Sequence, residues 1–180
     1  MAKVLFLTTA HRYDDDRIFH HQAKELVRNG FEVKICSLSS EFKGEKEGIS
    51  IDSFSILAKS SHFKTETFRK IIEEFQPECI IASEPLAIIS AKNSVKDHAC
   101  SLIYDITEWY PSKRMLSEFS AFFRPIHFVK FFLIQLYAGW LSTHFIFGEK
   151  TKMFPLDKFF PWKPHIMLSY FPDERYIHKS

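Results

Sequence analysis

The run Thr8-Thr9-Ala10-His11-Arg12-Tyr13-Asp14-Asp15-Asp16-Arg17 gathers imidazole, guanidinium, phenol and carboxylate groups into one short segment. It follows the apolar residues 4–7 and precedes a segment with helical apolar spacing. The loop is therefore expected at the carboxyl end of a buried strand, where open α/β sheets bind ligands. His11 and the guanidinium of Arg12 or Arg17 suit hydroxyl or phosphate oxygens, since Arg engages phosphate through two parallel hydrogen bonds. Tyr13 adds a phenol. The alternative is that Arg17 pairs with a neighbouring Asp and the rest is loop surface.

Asp14-Asp15-Asp16 contains a D-x-D string, with His20 and His21 following. Such carboxylates can hold a divalent cation, but at a helix start they also cap free N–H groups and complement the dipole. No metal is expected, because an oxygen-rich Mg²⁺ site usually draws on a substrate phosphate as well. Residues 8–17 contain no glycine. The backbone cradle of a G-x-G-x-x-G or P-loop motif is therefore missing, which disfavours a dinucleotide-binding protein.

Two further strings end apolar runs. In Ser83-Glu84-Pro85 the carboxylate of Glu84 either meets ligand hydroxyls or serves the start of the next helix. In Tyr104-Asp105-Ile106-Thr107-Glu108-Trp109-Tyr110-Pro111, Asp105 and Glu108 could bind hydroxyls or act as a general base. The alternative is strand-end capping, with Trp109 and Tyr110 packing.

These groups need a scaffold, and the apolar pattern supplies one. Strands are expected at residues 4–7, 31–37, 49–54, 79–82, 102–104, 143–147 and 165–168. Helices are expected at 16–28, stopped by Gly30, at 65–75, with Phe68, Ile71, Ile72 and Phe75 on one face, and at 85–96. Residues 38–48 read as a hydrophilic loop. Short apolar strands alternating with helices define an α/β protein, a doubly wound, mainly parallel Rossmann-like sheet with helices on both faces.

The segment 5–35, with its Asp-x-Arg-Ile step at Asp15 to Ile18 and its Asn29-Gly30-Phe31-Glu32-Val33 turn, resembles the opening of family 4 glycosyltransferases of the GT-B type. The string 104–111 is similar to a second motif of that family, with Thr107 where many members have His. Tyr170-Phe171-Pro172-Asp173 resembles the family's linker. The resemblance implies that residues 1–170 form the amino-terminal, acceptor-side half of a GT-B enzyme. Residues 171–180 would begin a linker to a carboxy-terminal donor-binding domain. It implies transfer of a sugar from a nucleotide-diphosphate sugar to an acceptor hydroxyl, in surface polysaccharide or glycolipid synthesis, without an obligatory metal. His11, Arg12, Tyr13, Arg17, Glu84 and Thr107 become expected acceptor-binding residues, and Asp105 and Glu108 the expected catalytic carboxylates. This half alone would need no cofactor and should not turn over. Glu66 and Glu74 match the spacing of the family's donor-sugar glutamates by chance, since those belong to the other domain.

At 180 residues, 46% hydrophobic and 26% charged, the chain suits one well-cored domain. A net charge of +2 gives no basis for a nucleic-acid partner. Cys36, Cys79 and Cys100 form no CxxC pair. They are expected as reduced thiols in a cytoplasmic protein, with no leader ahead of the first strand. From Lys113 through Phe132, cations alternate with aromatic residues. That run suits either a surface covered by protein or the inner face of a membrane carrying a lipid-linked acceptor. Arg124, His127, Lys130 and Gln135 interrupt any spanning window. Two other functions remain open: a non-catalytic binding or membrane-docking subunit that pairs with a separate donor-binding chain, and a flavodoxin-like or nucleotide-binding protein.

Overall fold

The computed structural model describes residues 1–95 and 100–169. Lys96 and the expected linker lie outside the described residues. Eight strands form one sheet. They are β1 (Lys3–Thr8), β2 (Glu32–Ser37), β3 (Phe42–Lys46), β4 (Ile49–Ser53), β5 (Cys79–Ala82), β6 (Ser101–Ile106), β7 (His144–Phe147) and β8 (His165–Met167). Their order is β3-β4-β2-β1-β5-β6-β7-β8, and every pair is parallel except β3 with β4. The molecule is a doubly wound, Rossmann-like α/β fold.

Both faces of the sheet are covered, so its central strands are apolar on both sides. In β1, Leu5 and Leu7 join a core with α2 (Ser61–Phe75), α3 (Pro85–Ser94) and α5 (Arg124–Leu141), whereas Val4 and Phe6 pack against Ile18 and Phe19 on the opposite face. Phe68, Ile71, Ile72 and Phe75 are the buried residues of α2, as their spacing predicts. Gly139 lets α5 approach α6 (Leu156–Phe159) closely, since a Cβ there would lie 2.5 Å from Leu156 Cδ2.

Two elements differ from expectation. The expected loop 38–48 contains β3, which forms a hairpin with β4 through Glu47-Gly48, both at positive φ as a two-residue hairpin turn requires. β3 is an exposed edge strand, Phe42-Lys-Gly-Glu-Lys, so no apolar alternation marks it. The helix expected at 16–28 is π-wound over Asp16–Ala23 before it becomes α1 (Lys24–Arg28). Its end is conventional: Gly30 N–H donates to Val27 O and Phe31 N–H to Leu26 O, with Gly30 at φ +82°.

Winding with bonds five residues apart turns residues i and i+5 toward the same side. Arg17 and Gln22 consequently reach one acceptor, Asp105. Strand β6 extends past Tyr104, so Asp105 sits inside the sheet, paired in register with Ile146 of β7. Asp105 is 1% exposed.

Candidate functional site

The strand order reverses direction at β1, with β2 and β4 built out on one side and β5, β6 and β7 on the other. Ligand crevices of open α/β sheets lie beyond the strand ends at this switch point. A polar groove occupies that position. One half, of about 310 Å³, is lined by His11, Asp15, Arg17, Thr107, Glu149 and Lys152 among others. The adjoining half, of about 200 Å³, is lined by Ser83, Glu84, Glu108, Tyr110 and Arg114. His11 and Thr107 belong to both halves.

His11 is held from two directions. Its backbone N–H donates to Thr8 Oγ1 at 3.1 Å and its carbonyl accepts from Ser37 Oγ at 2.6 Å. Its ring Nδ1 lies 3.0 Å from Asp15 Oδ2. An ionised carboxylate only accepts, so Nδ1 carries the proton and the neutral ring keeps a lone pair on Nε2. That nitrogen lies 3.9 Å from Glu84 Oε1, too far for a hydrogen bond. The hydrogen bond to Asp15 raises the His11 pKa above its ordinary value against the opposing effect of burial, and Glu84 and Glu108 add to the rise. Burial alone would raise Asp15, but His11 and the N–H groups of Ile18 and Arg17 bring it below the usual range. Asp15 is also the helix N-cap, its Oδ1 accepting from Arg17 N at 3.0 Å and Ile18 N at 3.2 Å. A single carboxylate thus fixes both the imidazole and the helix start.

Glu84 lines the groove but does not serve the start of the next helix. Its side chain makes no cap hydrogen bond to α3. Oε1 accepts from Thr8 Oγ1 at 3.0 Å and Ala10 N at 3.1 Å, and Oε2 accepts from Thr9 N at 3.0 Å. Both oxygens therefore tie the β1 loop across the switch point. The N–H groups that would face a phosphate in a nucleotide-binding loop already meet a carboxylate, whose charge also repels an anion.

Asp105, an expected catalytic carboxylate, is buried and does not line the groove. Its carboxylate accepts from Arg17 Nε at 2.9 Å and Nη2 at 2.7 Å, and from Gln22 Nε2 at 2.7 Å, sealed beneath the π-wound helix. Arg17 gives its Nη1 to Leu168 O at 2.8 Å, so it anchors the strand edge and forms the groove floor with its charge balanced. Arg12 and Tyr13 do not join the groove. Arg12 is exposed and pairs with Asp14 through Nε at 2.9 Å, and Tyr13 stacks on Phe42 with centroids 4.7 Å apart. Each follows its neighbour: Asp14 is two residues away, and β3 offers the ring.

Thr107 and Glu108 do reach the groove, with Glu108 exposed at its rim. Tyr110 lines the same half, its phenol kept protonated by burial beside Glu84 and Glu108. Residues not singled out for the groove complete it: Glu149 and Lys152 after β7, and Arg114 in α4 (Lys113–Ser117). The rule that polar residues after a strand line the crevice, applied to β7, points to Glu149. The His11-to-Asp15 spacing was equally visible. Among the described residues, no group of three or more His, Cys, Asp or Glu is placed to hold a metal ion.

Fold and groove place an oriented imidazole, carboxylates and two cations around one polar cleft of an α/β domain. No model of a known protein family matches the chain, and no curated protein sequence matches it. Among solved structures, the Bordetella bronchiseptica enzyme WbmH in complex with NAD+ is similar at a TM-score of 0.47 and 10% sequence identity, covering 82% of this chain and 55% of that one. The chain spans about half the length of that neighbour, 55%.

Proposed function

We propose that this chain is the acceptor-side domain of a GT-B glycosyltransferase, resembling family 4, in an enzyme that moves a sugar from a nucleotide-diphosphate sugar to an acceptor hydroxyl. The observation that carries the reading is the Asp15-oriented imidazole of His11 in a polar groove at the switch point. Neutral His11 accepts the hydrogen of an acceptor hydroxyl on Nε2. Its proton uptake is favoured by Asp15, which stabilises the imidazolium. This role passes to His11 from Asp105, whose oxygens are engaged by Arg17 and Gln22.

Thr107, Glu108 and the protonated Tyr110 supply acceptors and donors for neighbouring hydroxyls, and Arg114 and Lys152 flank the groove with positive charge. The donor nucleotide belongs to the partner domain of such an enzyme. Glu84 supports this division, because its carboxylate fills the place where a donor phosphate would otherwise meet the β1 loop. It also disfavours the nucleotide-binding alternative for this half.

The test is binding, followed at His11. Saccharides with free hydroxyls, including glycolipid headgroup analogues, are titrated into the chain while the imidazole resonances are recorded by NMR. A saturable shift at His11, with changes at Thr107 and Glu108 that disappear in His11→Ala, supports the proposal. Saturable binding of a nucleotide or nucleotide sugar at the β1 loop, with no saccharide response, overturns it.

A further inference from the structure

The flank of α5 carries large apolar side chains that are left exposed among the described residues. Ile126, Val129, Leu133, Tyr137 and Trp140 are 62%, 54%, 57%, 48% and 63% exposed. At 3.6 residues per turn they fall within an arc of roughly 80°. Gln135, Ala138 and Gly139, the buried residues of the helix, lie opposite. Phe122, 82% exposed, continues the stripe beyond the helix start. Such a stripe is a continuous surface, not scattered exposure.

Its charge is one-sided. Residues 112–142 hold Lys113, Arg114, Arg124 and Lys130 against a single carboxylate, Glu118. All four cations are exposed, and neither α4 nor α5 contains an acidic residue. Tyr137 and Trp140 are the aromatic types that settle at a water–lipid boundary. No helix among the described residues is long and apolar enough to cross a membrane. Apolar side chains at helical spacing, with Lys130 at the edge of the stripe and three more exposed cations at its amino-terminal end, match a helix lying in the headgroup plane of an anionic bilayer.

The direction of α5 separates this surface from a domain contact at the groove. The helix leaves the carboxyl end of β6 and returns to the amino end of β7, so its 18 residues run down the side of the sheet for about 27 Å. A body seated over the strand ends would reach Phe122 and Ile126 but not Tyr137 and Trp140. Arg114 lines the groove from α4, which packs on α5.

We infer that the exposed face of α5 docks this protein on an anionic lipid surface, with the groove opening beside the headgroups. Docking is independent of the proposed sugar chemistry, and its test contains no sugar. The 180-residue chain is mixed with phosphatidylcholine vesicles with and without phosphatidylglycerol, and sedimentation and tryptophan emission are recorded. The expected result is co-sedimentation with the phosphatidylglycerol vesicles only, weakened by salt, with a blue shift that Trp140→Phe removes. Leu133→Ser, at an exposed position, should weaken binding at least about tenfold. Lys130→Gln should weaken it roughly fivefold. Circular dichroism confirms that both variants fold. A chain that stays in the supernatant with anionic vesicles overturns the inference, as does binding that neither variant alters. Light scattering that reveals a dimer dissociated by Leu133→Ser, without vesicle binding, assigns the face to a second copy and overturns it too.

Discussion

Asp15 Oδ2 lies 3.0 Å from His11 Nδ1 while the Oδ1 of the same carboxylate caps the π-wound helix through Arg17 N and Ile18 N. The imidazole is therefore oriented by the backbone's own need for a cap. His11 is raised above 6.5, so its stabilising contribution is complete below that value and is lost as pH rises through the folded pKa. Asp15 is lowered below 3.8, so its contribution is present above that value and is lost as pH falls through the folded pKa. The pair is strongest in the window between. Asp15→Asn keeps a good N-cap but removes the charge. It should bring the His11 pKa down in an NMR titration and cost about 1.5 kcal/mol near pH 5, with a smaller difference at alkaline pH. An unchanged His11 titration would separate the two residues.

The Arg17–Asp105 pair, with side chains 10% and 1% exposed, makes the opposite prediction from a catalytic carboxylate. Asp105→Ala leaves a buried guanidinium without its partner and should cost about 3–5 kcal/mol in urea unfolding. Replacing both residues, Arg17→Met with Asp105→Leu, should recover part of that loss, because two apolar side chains need no compensation for desolvation while Gln22 Nε2 and Leu168 O are left without their partners. A stable Asp105→Ala protein that has lost only ligand binding would return Asp105 to the groove.

The parallel frame was readable because its strands are nearly unbroken apolar runs, as in Cys79–Ala82, which the structure matches residue for residue. β3 was not readable, since Lys43, Gly44, Glu45 and Lys46 face solvent and carry no alternation. The clustering of His11, Glu84, Thr107 and Glu108 followed from strand ends alone. What each side chain does there depended on distant partners: Arg17 meets Asp105 across 88 residues, and Glu84 meets backbone N–H groups 74 and 75 residues away. Local sequence could not foresee the π winding that aligns Gln22 with Arg17, because its apolar residues fit an ordinary helix equally well.

Glu84 ties β1 to β5, and the loop that carries His11 hangs on it. In Glu84→Gln an NH₂ group replaces one acceptor among three donors, leaving at least one part-buried N–H or the Thr8 O–H unpaired. The expected cost is about 1–3 kcal/mol, and the amides of Thr9 and Ala10 should exchange faster than in the parent protein. The His11 resonances should broaden or shift in the same variant, although residue 84 does not hydrogen-bond the ring. Unaltered exchange at both amides would show that the loop stands without this carboxylate.

Lys163 closes the other end of α5. Its ammonium donates to Gly139 O and Trp140 O, each at 2.7 Å, and to Ser142 O, and it lies over the rings of Phe145 and Phe160. Carbonyls left over at a helix end seek such a donor. Lys163→Met keeps the apolar stem but removes the donors, so it should cost about 1–3 kcal/mol and speed amide exchange in the last turn of α5. Burial also pushes the Lys163 amine down to about 8, which leaves it charged at neutral pH. Because the folded state releases that proton more readily than the unfolded chain, the stability of the parent relative to Lys163→Met should rise as pH increases from about 8 toward the ordinary lysine value of about 10.4. Unfolding curves for the two proteins across that interval decide it: a difference that stays flat or shrinks would mean the three carbonyls hold the proton against the effect of burial.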